Sequence, residues 1–264
     1  MIHRSSIVES SGEIADDVEI GPYAILRGEV SIGTGGRIAG HAQLVGHVVL
    51  GENCRVGPGA VIGTDPQDLS FDPDTGSSVM IGDSNVLREH VTIHRSAVAG
   101  GATRVGDGNY LMVGAHLGHD VRVGDHNVIA NNCMLGGHVH LGCHAFLGGG
   151  SGIHQYVRVG DRTMVPGNAS LSMDLPPYLM STRPNEVAGL NRVSLRRAGF
   201  EAAAIAEIRE LFSICYRRGF NLTQALDEAG AMEWATAEAV GFLDFFRAES
   251  KKGVCARLAR RSRA

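Results

Sequence analysis

Residues 111–160 read LMVGAHLGHDVRVGDHNVIANNCMLGGHVHLGCHAFLGGGSGIHQYVRVG, and their spacing decides the fold. Every sixth residue is a large aliphatic: Leu111, Leu117, Val123, Ile129, Leu135, Leu141, Leu147, Ile153 and Val159. A period of six matches neither an amphipathic helix nor the two-residue alternation of a half-buried strand. It fits a short strand followed by a corner, with one aliphatic per strand pointing inward. The glycine that often follows tolerates corner dihedrals that a Cβ would resist. Three such faces make a coil of three hexapeptides, and coils stack as parallel strands into a solenoid.

Outward from this stretch the rhythm covers most of the chain. It runs from Ile2 to Ile62, restarts at Ile81 and continues to Leu171. Only Ala99 is smaller than valine, so 26 of 27 places hold large aliphatics. The step from Ile62 to Ile81 is not a multiple of six, so one segment is ejected from the solenoid. Its sequence, TDPQDLSFDPDTGSS, predicts a loop excursion over about 64–79. A second irregular stretch, HRSAVAGGATR, predicts an excursion over about 94–104 that keeps phase. After Leu171 the rhythm stops, and Pro176-Pro177 and Pro184 mark a linker. The reading is an all-β solenoid over 1–183 and a small α-helical region over 184–264. Helices are expected over Asn185–Ala198, Glu201–Arg218, Leu222–Ala231 and Thr236–Lys252.

Composition narrows the function. A net charge of −4 gives no electrostatic case for nucleic acid. The charge is uneven: 251–264 holds six Lys/Arg and no acid, which leaves −10 on the rest. This basic tail reads either as solubilising charge or as a docking surface for an acidic protein. No apolar run approaches the roughly 20 residues of a membrane span. Five cysteines without a CxxC pair, and no signal peptide, point to a reduced, cytoplasmic setting.

Histidines mark the candidate site. His116 and His119, followed by Asp120, share neighbouring coils with His138 and His154. Steps of three hexapeptides place Gly137 above His119, Gly101 below it, and His138 above Asp120, roughly 4.8 Å away at the backbone. A carboxylate beside an imidazole fixes its tautomer and raises its basicity. The glycine column leaves room for a substrate. His126 and His144 also stack, but nothing else converges on them, so they read as decoration, as do His3, His41 and His47. Gly149 and Gly167 stack similarly and leave a bare strip suited to an extended hydrocarbon. No metal ligand set is assigned. A zinc site like that of the hexapeptide-repeat carbonic anhydrases fits the adjacent Asp120 poorly. An inert spacer is the non-enzymatic alternative.

The six-residue rhythm resembles the hexapeptide-repeat proteins, which implies a left-handed parallel β-helix. The segments PQDL (66–69), GDSNVLREHVTIHR (82–95), GAHLGHDVRVG (114–124), LGGHV (135–139), GIHQY (152–156), DLPPY (174–178) and LRRAGF (195–200) resemble, in order, the UDP-N-acetylglucosamine O-acyltransferase family of lipid A biosynthesis. The resemblance spans essentially the whole chain. It implies transfer of a 3-hydroxyacyl chain from acyl carrier protein to the sugar 3-hydroxyl. His119 would be the general base, Asp120 its support, and the Gly137 N–H the stabiliser of the oxyanion. Gln67, Asp68, His116, His138, His154 and Gln155 would surround the sugar nucleotide, with Asn191 and Arg197 at the uridine diphosphate. Gly167 matches the end-stop of the acyl groove. The resemblance also implies a homotrimer, with no cofactor beyond the phosphopantetheine arm of the carrier. The chain departs from the family pattern at Ser70, Val193 and Ala198. That leaves open a 3-amino sugar acceptor giving an N-acyl product.

Overall fold

The computed structural model describes residues 1–259. Short strands stack in parallel along three faces of a prism. One face runs from Glu19–Ile20 to Met164–Val165, and the other two form a second, curled sheet. Their register is the repeat itself: Arg122 pairs with His140 and His140 with Arg158, each step three hexapeptides. From Ile20 onward every ladder position is buried except Ala99. Ile2 and Val8 are exposed because they lie in the first coil, at the uncovered end of the prism.

The corners share a backbone conformation. Asp120, His138 and Tyr156 turn at one corner, and His126, His144 and Arg162 at the next, all with φ between 54° and 67°. Asn, Asp and His tolerate this left-handed region better than most residues. Five of the 12 histidines occupy such positions. Inside the prism, Asn85, Asn109 and Asn127 form a buried ladder. Each side-chain oxygen accepts from a backbone N–H one coil on, at 2.7–2.9 Å. Cys54 and Cys133 fill equivalent places as free thiols, and burial pushes their pKa up.

The excursions are shorter than expected. The first lies between strands Val61–Thr64 and Ser78–Ile81, the second between Thr92–His94 and Ala102–Val105. Thr92 pairs with His116, four hexapeptides on instead of three, so the second loop inserts one extra hexapeptide's length. That is why it keeps phase, and why Ala99 is a loop residue outside the core.

Beyond Leu171, strands Leu179–Ser181 and Glu186–Leu190 form an antiparallel hairpin on the first face. A division at 183/184 therefore cuts a hairpin, and the helix expected over 185–198 is half strand. Only α1, Arg192–Arg197, remains of it, capped by Asn191. Helices α2 (Ala202–Tyr216), α3 (Leu222–Gly230) and α4 (Ala237–Arg247) follow. α4 ends before the expected Lys252, because the chain turns back to the prism there. Asp174 N–H donates to the Gly253 carbonyl at 2.8 Å, and Cys255 N–H donates to the Asp174 carbonyl at 2.8 Å. The wholly buried Asp174 carboxylate pairs with Arg158 at 2.7 Å. The basic tail is thus partly structural: Arg257–Leu258 adds a strand beside Glu186–Leu190, while Arg260, Arg261 and Arg263 lie outside the described residues. Among the described residues no helix is long and apolar enough to cross a membrane.

Candidate active site

His119 and Asp120 form the corner between strands His116–Leu117 and Arg122–Val123. The His119 Nδ1 lies 2.8 Å from Asp120 Oδ2. An ionised carboxylate only accepts, so in the neutral imidazole Nδ1 carries the proton and Nε2 keeps its lone pair. Nε2 faces Gly137: a Cβ there would fall 2.5 Å from it. Glycine at 137 is therefore what gives the imidazole its place. Among the described residues, the Gly137 N–H has no protein acceptor.

Asp120 is clamped from below by the second excursion. Its Oδ1 accepts from the Ser96 hydroxyl, and its Oδ2 accepts from the Ala97 N–H at 3.0 Å as well as from His119. The Asp120 N–H in turn donates to the buried Thr103 hydroxyl at 2.8 Å. Burial alone would raise the carboxyl pKa, but the bonds from Ser96, His119 and Ala97 prevail and lower it. Asp120 stays charged and oriented. The expected glycine column is correct above His119 but not below it. The inserted hexapeptide puts the loop, not a bare Gly101 coil, beneath this corner.

His138 stacks above, as its spacing predicts. Its Nε2 is 3.7 Å from Asp120 Oδ2, and its ring stands edge-on to His119 at 5.0 Å. Burial lowers its pKa, against the opposing pull of Asp120. His116 is held by the Thr92 hydroxyl at 2.8 Å and lies edge-on to His94 at 5.2 Å. Burial, with His94 nearby, lowers the His116 pKa. The sequence does not single out His94. It is buried and bonded to the Asp65 carbonyl, tying the first excursion to the site. Its one sequence signal is its place at the mouth of a loop.

An open cleft of about 620 Å³ gathers Gln67, His116, His119, Gly137, His154 and Gln155. Met134, Gly152 and Ser170 floor it, and a Cβ at Gly152 would meet nothing within 4 Å. Asp68 stands exposed on the first excursion. Its carboxylate accepts from the Ser70 N–H at 2.9 Å and the Ser70 hydroxyl at 2.8 Å, and these bonds lower its pKa. Ser70 therefore orients Asp68. Three larger clefts, of about 640, 880 and 890 Å³, contain neither His119 nor Asp120.

Asn191 and Arg197 are not brought to this corner. The Asn191 amide donates to the Arg162 carbonyl at 2.9 Å and its oxygen accepts from Ser194 N–H at 3.2 Å, so both ends are engaged at the next corner. Arg197 is exposed in the last turn of α1. Gly149 and Gly167 line the third corner; a Cβ on Gly167 would lie 3.1 Å from the Gly149 carbonyl.

Three donor atoms from His119, Asp120 and His138 lie within 4.8 Å of one another, which is also a spacing for a metal ion. The hydrogen bonds oppose that use. Asp120 Oδ2, the atom nearest both rings, already accepts two N–H groups.

A stacked-coil prism with an imidazole–carboxylate pair at one corner fits the hexapeptide-repeat transferases. Residues 102–137 match the profile described as bacterial transferase hexapeptide (six repeats). Residues 174–255 match that of domain 2 of Udp N-acetylglucosamine O-acyltransferase. The acyl-[acyl-carrier-protein]–UDP-N-acetylglucosamine O-acyltransferase of Syntrophobacter fumaroxidans is 43% identical over 96% of this chain and 98% of its own. That of Thermodesulfovibrio yellowstonii is 37% identical over the same shares. The crystal structure of the UDP-N-acetylglucosamine O-acyltransferase from Moraxella catarrhalis superposes with a TM-score of 0.90 at 35% identity, covering 98% of this chain and 99% of that one. The Francisella novicida UDP-N-acetylglucosamine acyltransferase gives 0.92 at 33%, covering 99% and 95%. The chain belongs to the acyl-[acyl-carrier-protein]–UDP-N-acetylglucosamine O-acyltransferase family. Its fold is accordingly the left-handed parallel β-helix, an exception to the right-handed rule for parallel crossovers.

Proposed function

We propose that this protein transfers a 3-hydroxyacyl chain from acyl carrier protein to the 3-hydroxyl of UDP-N-acetylglucosamine, the first step of lipid A biosynthesis. The observation that carries the mechanism is the His119–Asp120 pair, with Nε2 left free beside Gly137. Nε2 takes the sugar hydroxyl proton as that oxygen attacks the thioester carbonyl. The Gly137 N–H donates to the oxyanion of the tetrahedral intermediate. Collapse releases the carrier thiolate, which recovers the proton from His119. An imidazole suits this exchange because it can both take up and return a proton at one nitrogen. None of these steps calls on a metal ion.

His116, His138, His154 and Gln155, with Gln67 and Asp68 from the first excursion, surround the sugar. Asn191 places α1, whose Arg197 meets the diphosphate. In this reading that contact comes from a second subunit, because Arg197 sits at a different corner of its own prism. The protein is a homotrimer with its sites between subunits. The acyl chain runs over Gly152 towards Gly149 and Gly167. The reaction is cytoplasmic, where carrier and sugar nucleotide meet.

The test supplies 3-hydroxyacyl carrier protein with UDP-N-acetylglucosamine or its 3-amino analogue, with and without chelator. An O-acyl product that is indifferent to chelator is expected. A product only from the amino sugar would change the acceptor, and loss on chelation would restore the zinc reading.

A further inference from the structure

The tail returns to the active corner and leaves a cation there. Gly253, with φ 68°, turns the chain as Asp174 fixes it on both sides. Two residues earlier, the Lys251 ammonium lies 4.3 Å from the centre of the Tyr156 ring, with Lys252 at 5.9 Å. Tyr156 stacks on His138 at 4.5 Å with the planes 5° apart. His138 in turn reaches Asp120, the support of His119. A continuous stack thus joins a tail cation to the proposed general base.

We propose that Lys251 is a positioning residue for His119: held over Tyr156, it keeps the stacked His138 ring uncharged, so that Asp120 serves His119 alone. This rests on the reading of His119 as base. A His138 imidazolium would draw the Asp120 carboxylate away from His119. It would also put a further cation on a tyrosine ring that already carries Lys251 and, farther out, Lys252. The groups facing His138 divide. Asp120 favours its charged form. His119 and Lys251 oppose it, as does burial, which is the largest influence. His140 lies two residues along, in register with Arg122 and Arg158, and the Asp174 carboxylate on that side is already paired with Arg158 at 2.7 Å. The sequence leaves the tail cations as solubilising charge or a docking surface; only the return through Asp174 brings them to this corner.

The experiment follows the His138 imidazole by NMR titration and measures kcat/KM against pH, in wild type, Lys251→Met and Lys251→Arg. Lys251 is exposed and the methionine keeps most of its stem, so the fold should hold. A unit charge across one intervening ring, at an effective dielectric between about 20 and 80, moves a titration by roughly 0.3 to 1 pH unit. Lys251→Met should raise the His138 midpoint by that amount and move the acid limb of kcat/KM upward with it. The rate at alkaline pH should stay unchanged, and Lys251→Arg should restore both. An unmoved midpoint overturns the proposal. A midpoint that moves without the acid limb also overturns it, since Asp120 would then serve His119 whatever the state of His138. Absence of acyl transfer in the wild type would instead remove the proposed reaction, with the His138 midpoint still reporting whether Lys251 acts on it.

Discussion

Two adjacent corners of the prism carry stacked histidines, and at one of them a carboxylate meets both rings. At the first, His119 and His138 meet over Asp120; at the second, His126 and His144 stack at 5.1 Å. The backbone is the same at both, with a left-handed residue at each turn. The difference is what arrives from outside the coil. The second excursion delivers Ser96 and Ala97 onto Asp120, which in turn holds His119 Nδ1. At the second corner, among the described residues, no ion pair reaches either ring. A stacked histidine is a habit of this scaffold; an imidazole polarised by a clamped carboxylate is not.

The contrast is most exposed to His119→Ala. It should lower kcat by at least about 100-fold, as for a lost general base, with assembly intact by sedimentation. Near-normal turnover would move the base elsewhere. The third corner comes next. Gly167→Met should shift acyl preference towards shorter chains, by about fourfold per excluded methylene at about 0.8 kcal/mol each. The readout is the kcat/KM ratio for long and short acyl carriers; an unchanged ratio would place the groove's end elsewhere. Ser96→Ala removes a bond to a charged group worth about 1.5–3 kcal/mol, and should slow turnover roughly tenfold or more.

Acid stability involves both corners. His116, His138 and His140 at or near the first, and His144 at the second, all have their pKa lowered, chiefly by burial. The unfolded chain takes up these protons at higher pH than the folded protein does. Stability is therefore full above the ordinary histidine pKa of 6.5 and falls as pH drops below it. Thermal melts at pH 7.5 and 5.5 should differ by at least a few degrees, and equal midpoints would contradict the burial of these rings. The smallest effect belongs to His126→Ala, whose turnover should match wild type. A large loss there would erase the distinction between the corners.

Sequence alone reaches the prism because its core repeats: one aliphatic every six residues leaves a periodic trace that no single substitution hides. It reaches His119, Asp120 and His138 because solenoid register turns spacing into adjacency. It sees the second excursion in HRSAVAGGATR but misses that this loop lies beneath them, because an insertion of one hexapeptide keeps the period of six while changing which residues stack. It misreads 185–198 because Val187 and Leu190 fit a helical stripe as well as a strand, and the hairpin with Leu179–Ser181 decides between them. The clamp of Ser96 on Asp120 and the reach of Lys251 to Tyr156 are contacts between distant, non-repeating segments, and those leave no periodic trace.

The central claim is that the second excursion, through Asp120, makes His119 a base. A double-mutant cycle between Ser96 and His119 tests it most directly, with kcat/KM measured for all four proteins. If Ser96 acts through the imidazole, Ser96→Ala should slow the wild type roughly tenfold or more and leave His119→Ala unchanged. Equal losses in both backgrounds would mean that the loop contributes independently of His119, and the account of this corner would be wrong.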